Sequence, residues 1–514
     1  MNKTKLIFYI VASAIITGSI VITSEYLNRS KISRNIDPQT SATQKIELTD
    51  CPEYLNIPNG EKVECGYLTV PENRQISNSR DIKVFFARVA AYERVAAAKP
   101  IVYLAGGPGE GGSKYLVDRM EQFFTLRRDR DLIVIDQRGT GFSSPRLDCD
   151  LAEDKTIAQL ESTLKECLSD YHQRNIDLTG YNTTQSAKDL QELRQALEIE
   201  QWNFIGTSYG TRLAQETMRI DPKGIRSVVL NSTLPTFDSF FSPSLAADQK
   251  RIFEQMFADC TDDAECDLIF PNLRQVFLSI EGKMEGKVLK LVSGDRSVTI
   301  SFDKFVSLLK SKLKKTTTIP QVPLFIWSMA RAIDGDATAR NLLVNTFSSS
   351  EDISDRFSTA NVPIQKNTQK AIGLNIAVIC HEDWSWIENL ERLEQQILNY
   401  QPFASLSPLI RYKIACPMWN VGKAEADFKK KIISDIPTLM LTGDYDRLTA
   451  PVWTDEVAEG LSNSKVVRFR GIGHDVIDAS LCAKALTVDF IANPDKPLPL
   501  DCVERTRSPK FIAN

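Results

Sequence analysis

An apolar stretch that runs into Gly-x-Ser-x-Gly and then straight into helical sequence leaves a chain few folds to adopt. Here it is Asn203-Phe204-Ile205-Gly206-Thr207-Ser208-Tyr209-Gly210-Thr211-Arg212-Leu213-Ala214. A serine on so tight a strand-to-helix turn sits in strained backbone, and side chains two residues to either side would collide with the neighbouring strand and helix, which is why both flanks are glycine. Ser208 would then stand above the end of a sheet as a nucleophile. The pentapeptide alone is equally compatible with an ordinary turn, so its context must decide.

Serine needs an imidazole to take its proton, and the chain has three histidines. His172 lies in a polar helical run beside Cys167, and His381 lies in a segment that looks inserted. His474 follows the alternating strand Lys465 to Phe469 in the glycine-rich loop Arg470-Gly471-Ile472-Gly473-His474-Asp475, where a catalytic base is presented. A carboxylate should fall between serine and histidine in chain order, at the end of a strand. Pro437 to Thr442 is that strand, and Asp444 and Asp446 follow it. Asp446 is preferred because it reaches further toward a neighbouring loop; either could instead be a turn-forming Asp. For the oxyanion, Tyr209 N–H is one donor and Gly107 N–H the other, from Gly106-Gly107-Pro108-Gly109 after the strand Ile101 to Leu104. A phosphate cradle is disfavoured there, since no Gly-Lys-Ser/Thr follows and Glu110 would repel an anion.

Together with Asp136-Gln137-Arg138-Gly139-Thr140-Gly141-Phe142-Ser143 and Gly443 to Pro451, these motifs resemble the proline iminopeptidase and tripeptidyl aminopeptidase family of α/β-hydrolases, over about Cys51 to Cys502. The secreted tripeptidyl-aminopeptidase-like branch is the nearer, because of the cysteine-bearing segment Leu481 to Cys502. The resemblance implies a serine exopeptidase acting on peptide N-termini, and it supports Asp446 over Asp444. It also implies a substrate-amine contact at Glu382, in Cys380-His381-Glu382-Asp383; the alternative is an acidic pair at a helix start. Two positions depart from the pattern. Ala105 stands where proline iminopeptidases usually carry histidine, which argues against strict proline specificity, and Asn231-Ser232-Thr233 replaces an expected Asp-Gly pair. Shortest-loop pairing, which the resemblance favours, gives the bridges Cys51–Cys65, Cys149–Cys167, Cys260–Cys266, Cys380–Cys416 and Cys482–Cys502. Ten cysteines with few histidines suit disulfides in an exported chain; no metal and no cofactor are expected.

An export signal is expected over 1–24, cleaved or retained as an anchor, then a flexible leader over 25–50. The fold class expected is α/β: an α/β-hydrolase core over 51–235 and 434–514, a mostly parallel sheet flanked by helices, with an inserted helical cap over 236–433. With 62 basic and 66 acidic residues and no concentrated basic face, a nucleic-acid partner is not expected. A membrane is met only through a retained N-terminal anchor. The lysine run Lys310 to Lys315 reads as a solvated helix end. The functions in competition are an exported serine aminopeptidase taking peptides with a free N-terminus, a carboxylic ester hydrolase with the same triad, and a non-catalytic binding protein.

Overall fold

The computed structural model describes residues 45–512 except 56, 59, 94, 96, 117–123, 152–156, 350–368 and 405. The export signal, most of the leader and most of the polar break at 348–354 lie outside the described residues.

Seven strands come first: β1 (Ile46–Thr49), β2 (Val63–Pro71), β3 (Asp81–Val89), β4 (Ile101–Leu104), β5 (Leu132–Ile135), β6 (Trp202–Thr207) and β7 (Ile225–Asn231). A hairpin, β8 (Val288–Ser293) with β9 (Arg296–Ser301), interrupts a helical region before β10 (Thr438–Gly443) and β11 (Ser464–Phe469). Among the described residues the main sheet has nine strands in the order β1-β2-β3-β5-β4-β6-β7-β10-β11. β1, β2, β3 and β5 pair antiparallel, and from β5 through β4, β6, β7 and β10 to β11 every pairing is parallel. β4, β5, β6 and β10 are buried at every residue, which is why they read as unbroken apolar runs and not as alternation. Their side chains divide by parity: Val102, Leu104 and Phe204 enter one core, and Ile101, Tyr103 and Ile205 the core on the opposite face. This is an α/β-hydrolase fold with helices on both faces, and the loops after β4, β6, β10 and β11 all open at the carboxyl ends of the parallel strands.

Two elements differ from expectation. Ile46–Thr49, assigned by sequence to the leader, is the edge strand β1, held by backbone pairing to β2 although Leu48 is 59 % exposed. Between β7 and β10 the expected helices are present, but β8 and β9 form a two-stranded sheet of their own. Its signal was the short aliphatic run Val288-Leu289-Lys290-Leu291-Val292 followed by Gly294 at φ +57°, a tight turn between short strands.

The helix Pro243–Asp262 spans the helical region's two apolar clusters. Leu245 and Ala246 pack in the cluster that holds Tyr209 and Trp453, while Ile252, Phe253 and Met256 pack with Tyr445. This helix therefore shares hydrophobic surface with Tyr209, the residue after the elbow serine, and with Trp453. The five bridges form in the expected pairing. Cys380–Cys416, with a sequence separation of 36, ties the helix Ile372–Glu382 to the helix Ser407–Trp419. A loop of that length contributes about 4 kcal/mol in the chain-entropy model.

Candidate active site

Ser208 sits between β6 and the helix Tyr209–Ile220 at φ 57°, ψ −123°, a conformation L-residues rarely adopt. Its backbone is held from both sides: Ser208 N–H donates to Asn231 O at 3.0 Å, and Thr211 N–H donates to Ser208 O at 2.9 Å. The flanking glycines are required by contact. A β-carbon on Gly210 would lie 2.1 Å from Leu104 O, and one on Gly206 would lie 2.5 Å from Gly210 O. Gly210→Ala should therefore cost about 3 kcal/mol or more, because backbone and not a pliant side chain must yield. Denaturant unfolding measures it, and a cost under about 1 kcal/mol would contradict this geometry.

Asp446 and His474 are brought together. His474 Nδ1 lies 2.9 Å from both carboxylate oxygens of Asp446, whose side chain is fully buried. Leu448 N–H and Thr449 N–H donate to Oδ1 at 3.0 Å, and the Thr449 hydroxyl donates to Oδ2 at 2.7 Å. Burial alone would raise this carboxyl, but His474 and the Thr449 donors outweigh it and hold it below the usual carboxylate range. Asp446 is thus an acceptor, Nδ1 carries the proton, and Nε2 is left as the basic nitrogen. Asp444 turns elsewhere, accepting from Gly471 N–H at 2.8 Å and Gln255 Nε2 at 2.9 Å. The other histidines stand apart from this pair. His172 is exposed on a helix, and His381 Nδ1 lies 3.0 Å from Val421 O.

The loop after β4 passes the serine: a β-carbon on Gly106 would lie 3.2 Å from Ser208 Cβ and 3.7 Å from its Oγ. Gly107, at φ +115°, leaves no room for a side chain, since a β-carbon would meet Gly109 N at 2.7 Å. Three groups brace this loop. Gln137 Nε2 donates to Ala105 O at 3.1 Å, Asn375 Nδ2 to Pro108 O at 3.1 Å, and Ala371 N–H to Gly109 O at 2.9 Å. Tyr412 OH donates to Asn375 Oδ1 at 2.8 Å, so the helical region holds the loop that carries Gly107. No local motif marks Asn375 or Tyr412 in the sequence; their role exists only once the chain has folded. Tyr209 N–H begins the elbow helix, and the Tyr209 ring packs beneath, its hydroxyl 2.7 Å from Thr183 Oγ1.

Asn231 and Ser232 join the elbow strand to the loop that carries His474. Asn231 Nδ2 donates to Asp475 Oδ1 at 2.7 Å and to Thr207 Oγ1 at 3.1 Å, while Asp475 N–H donates to Ser232 Oγ at 3.0 Å. The departure noted at 231–233 therefore sets the His474 loop against the strand that bears the serine.

Glu382 ends the helix Ile372–Glu382 and is 1 % exposed. Thr183 N–H donates to it at 2.7 Å, and Arg212 Nη1 donates to it at 3.4 Å and to Asp383 at 3.1 Å. Burial raises its carboxyl against the opposing pull of Arg212 and Thr183. A second carboxylate escaped sequence reasoning. Asp248, on the helix Pro243–Asp262, is 7 % exposed; Arg251 Nε donates to Oδ1 at 2.6 Å, and Oδ2 is buried with no hydrogen-bond partner. Burial raises this carboxyl, Arg251 opposes, and the charge of Asp446 adds to the rise.

Residues 99–479 match the family model described as alpha/beta hydrolase fold. A putative hydrolase of Escherichia coli, YuaR, is 22 % identical over 464 residues, covering 85 % of this chain and 87 % of that protein. The tripeptidyl aminopeptidase of Streptomyces lividans is 24 % identical over 241 residues, 43 % of this chain and 44 % of its own length. Among solved structures, a proline iminopeptidase of Mycobacterium smegmatis aligns over 84 % of this chain and 98 % of its own at 15 % identity, with a TM-score of 0.35.

Proposed function

Because the chain belongs to the alpha/beta hydrolase fold family, we propose that it is an exported serine aminopeptidase that releases N-terminal segments of peptides through an acyl-enzyme on Ser208. The observation that carries this reading is the Asp446–His474 pair at 2.9 Å, with a strained serine and a glycine loop at the same end of the sheet.

In this mechanism His474 Nε2 takes the proton of Ser208 Oγ as the oxygen attacks the scissile carbonyl. The oxyanion is met by Tyr209 N–H and Gly107 N–H. As the carbon–nitrogen bond breaks, His474 returns the proton to the departing amine; water, deprotonated by the same nitrogen, then releases the acyl group and restores Ser208. The helical region between β7 and β10 acts as the cap that selects substrate. Five bridges support an oxidising, exported setting.

Aminopeptidase activity, as distinct from esterase activity, calls for a carboxylate to receive the free α-ammonium. Glu382 is the position drawn from the resemblance, but it already faces Arg212. Asp248 offers a buried, unpartnered oxygen, the state an incoming ammonium relieves. The tripeptidyl aminopeptidase relative supports the same substrate class. Purified protein is tested on free-amine mono-, di- and tripeptidyl arylamides, their N-acetylated counterparts and a short acyl ester. Cleavage of the free-amine arylamides is expected, and Asp248→Asn should raise KM for them about tenfold, more than Glu382→Gln does, with little change on the ester. Ester turnover without amide turnover would transfer the assignment to a carboxylic ester hydrolase.

A further inference from the structure

Two neighbouring cations, the first of them next to Asp446 in the chain, have no acid committed to them among the described residues. Arg447 follows Asp446 directly. Its Nε is sealed from solvent without a hydrogen-bond partner, and among the described residues its guanidinium makes no ion pair. Lys310, on the helix Phe302–Lys312, is half-buried and likewise unpaired, whereas Lys314 and Lys315 of the same run are exposed, as expected of a solvated helix end. Burial, then the Arg447 guanidinium, pushes its ammonium down to about 8, with Asp303 opposing. Arg447 is itself held at about 10 by burial, against the pull of Asp446.

The end of this helix abuts the base. Lys314 O accepts His474 N–H at 3.1 Å, and Thr316 Oγ1 accepts Gly473 N–H at 3.0 Å. The acids nearby are taken. Asp446 is occupied by His474, Leu448 and Thr449, and Glu110 accepts Tyr115 OH among Lys114, Lys314 and Lys370. Like charges withdrawn from water without partners are unfavourable unless something anionic completes them. A planar guanidinium with a free edge suits a carboxylate, and His474 must hand its proton to the departing group, so residues beside its loop meet the leaving-group side of a substrate.

We propose that Arg447 and Lys310 form a carboxylate-receiving subsite, so that preferred substrates carry a carboxylate on the residue just after the scissile bond. That carboxylate is either an acidic side chain or the free C-terminus of a one-residue leaving group. For peptides this rests on the aminopeptidase reading; the charge preference itself does not.

The test uses one tripeptidyl acyl part with three leaving groups: Glu-amide, Gln-amide and Gln with a free C-terminus. Wild type is expected to favour a carboxylate-bearing leaving group about tenfold in kcat/KM, the worth of one partly buried charge pair. Glu-amide over Gln-amide identifies the side chain as the source; free Gln over Gln-amide identifies the C-terminus. The ratio should fall toward one in Arg447→Gln with Lys310→Gln and be partly restored by Arg447→Lys. If the double variant fails to fold by circular dichroism, Lys310→Gln alone is read the same way. Should no amide be cleaved, the aminopeptidase reading fails, and the subsite is read instead on an ester whose alcohol part is glycolate against one whose alcohol part is glycolamide. A ratio near one in wild type, or a ratio unchanged in the variants, overturns the subsite.

Discussion

Ser208→Ala should lower kcat by roughly 10⁴- to 10⁶-fold while leaving the melting temperature within a few degrees of wild type. The two halves of this expectation have separate causes. In the proposed mechanism chemistry is lost because Oγ is the attacking atom, and neither Tyr209 N–H nor Gly107 N–H can replace it. Stability is kept because alanine retains the β-carbon and the residue keeps φ 57°, so the elbow remains as strained as before. Ser208→Gly makes the complementary point. It should be equally inactive yet more stable by about 1 kcal/mol, since glycine adopts that backbone without penalty. Calorimetry and steady-state kinetics on the three proteins check both halves; an alanine variant that retains a hundredth of the activity would remove Ser208 from the mechanism.

Asp446→Asn should lower kcat by about 10⁴-fold with a smaller effect on KM. Leu448 N–H and Thr449 N–H both donate to Oδ1, and backbone N–H groups can only donate. The amide oxygen of asparagine will take the Oδ1 place, turning its NH₂ to the Oδ2 side, where it faces His474 and the Thr449 hydroxyl, which can rotate to accept. Nδ1 must then accept, the ring proton moves to Nε2, and the nitrogen that should take the serine proton already holds one. Asp444→Asn, by contrast, should stay within about threefold of wild type, because among the described residues the Asp444 carboxylate accepts only from Gly471 and Gln255. The stability consequence has a defined sign. The Asp446 carboxyl lies below its ordinary value in the folded state, so its contribution is complete above the unfolded value near ~3.9 and is lost as pH falls through the lower folded value. The gap in unfolding free energy between wild type and Asp446→Asn should therefore hold steady from neutral pH down to about 4 and close below it.

Much of this site was legible because its constraints are local. The elbow announces itself through glycines whose β-carbons would strike Leu104 O and Gly210 O. The five bridges follow from closely spaced cysteines, and the order Ser208, Asp446, His474 follows the strands whose carboxyl ends line one edge of the sheet. What escaped is tertiary. Asn375 and Tyr412 brace the glycine loop from helics far along the chain, and neither carries a motif. Asp248 looks like any surface acid on an amphipathic helix until burial leaves one oxygen unpartnered. β1 is held by its neighbour's backbone and not by its own side chains, so hydrophobic pattern could not reveal it. Arg447 and Lys310 fall in the same class: the lysine run suggested a solvated helix end, and only the approach of Lys314 O to His474 N–H shows where that end is docked.

The central claim is that Ser208 is an activated nucleophile, and covalent trapping tests it most directly. The purified protein is treated with a fluorophosphonate, a tetrahedral phosphorus electrophile that reacts with serines activated by an imidazole, then weighed intact and mapped by peptide mass spectrometry. The account predicts one adduct per chain, carried by the peptide containing Ser208, absent in Ser208→Ala and formed far more slowly in His474→Ala and Asp446→Asn. An adduct on another residue, or labelling of Ser208 at the same rate in all three triad backgrounds that retain it, would contradict it.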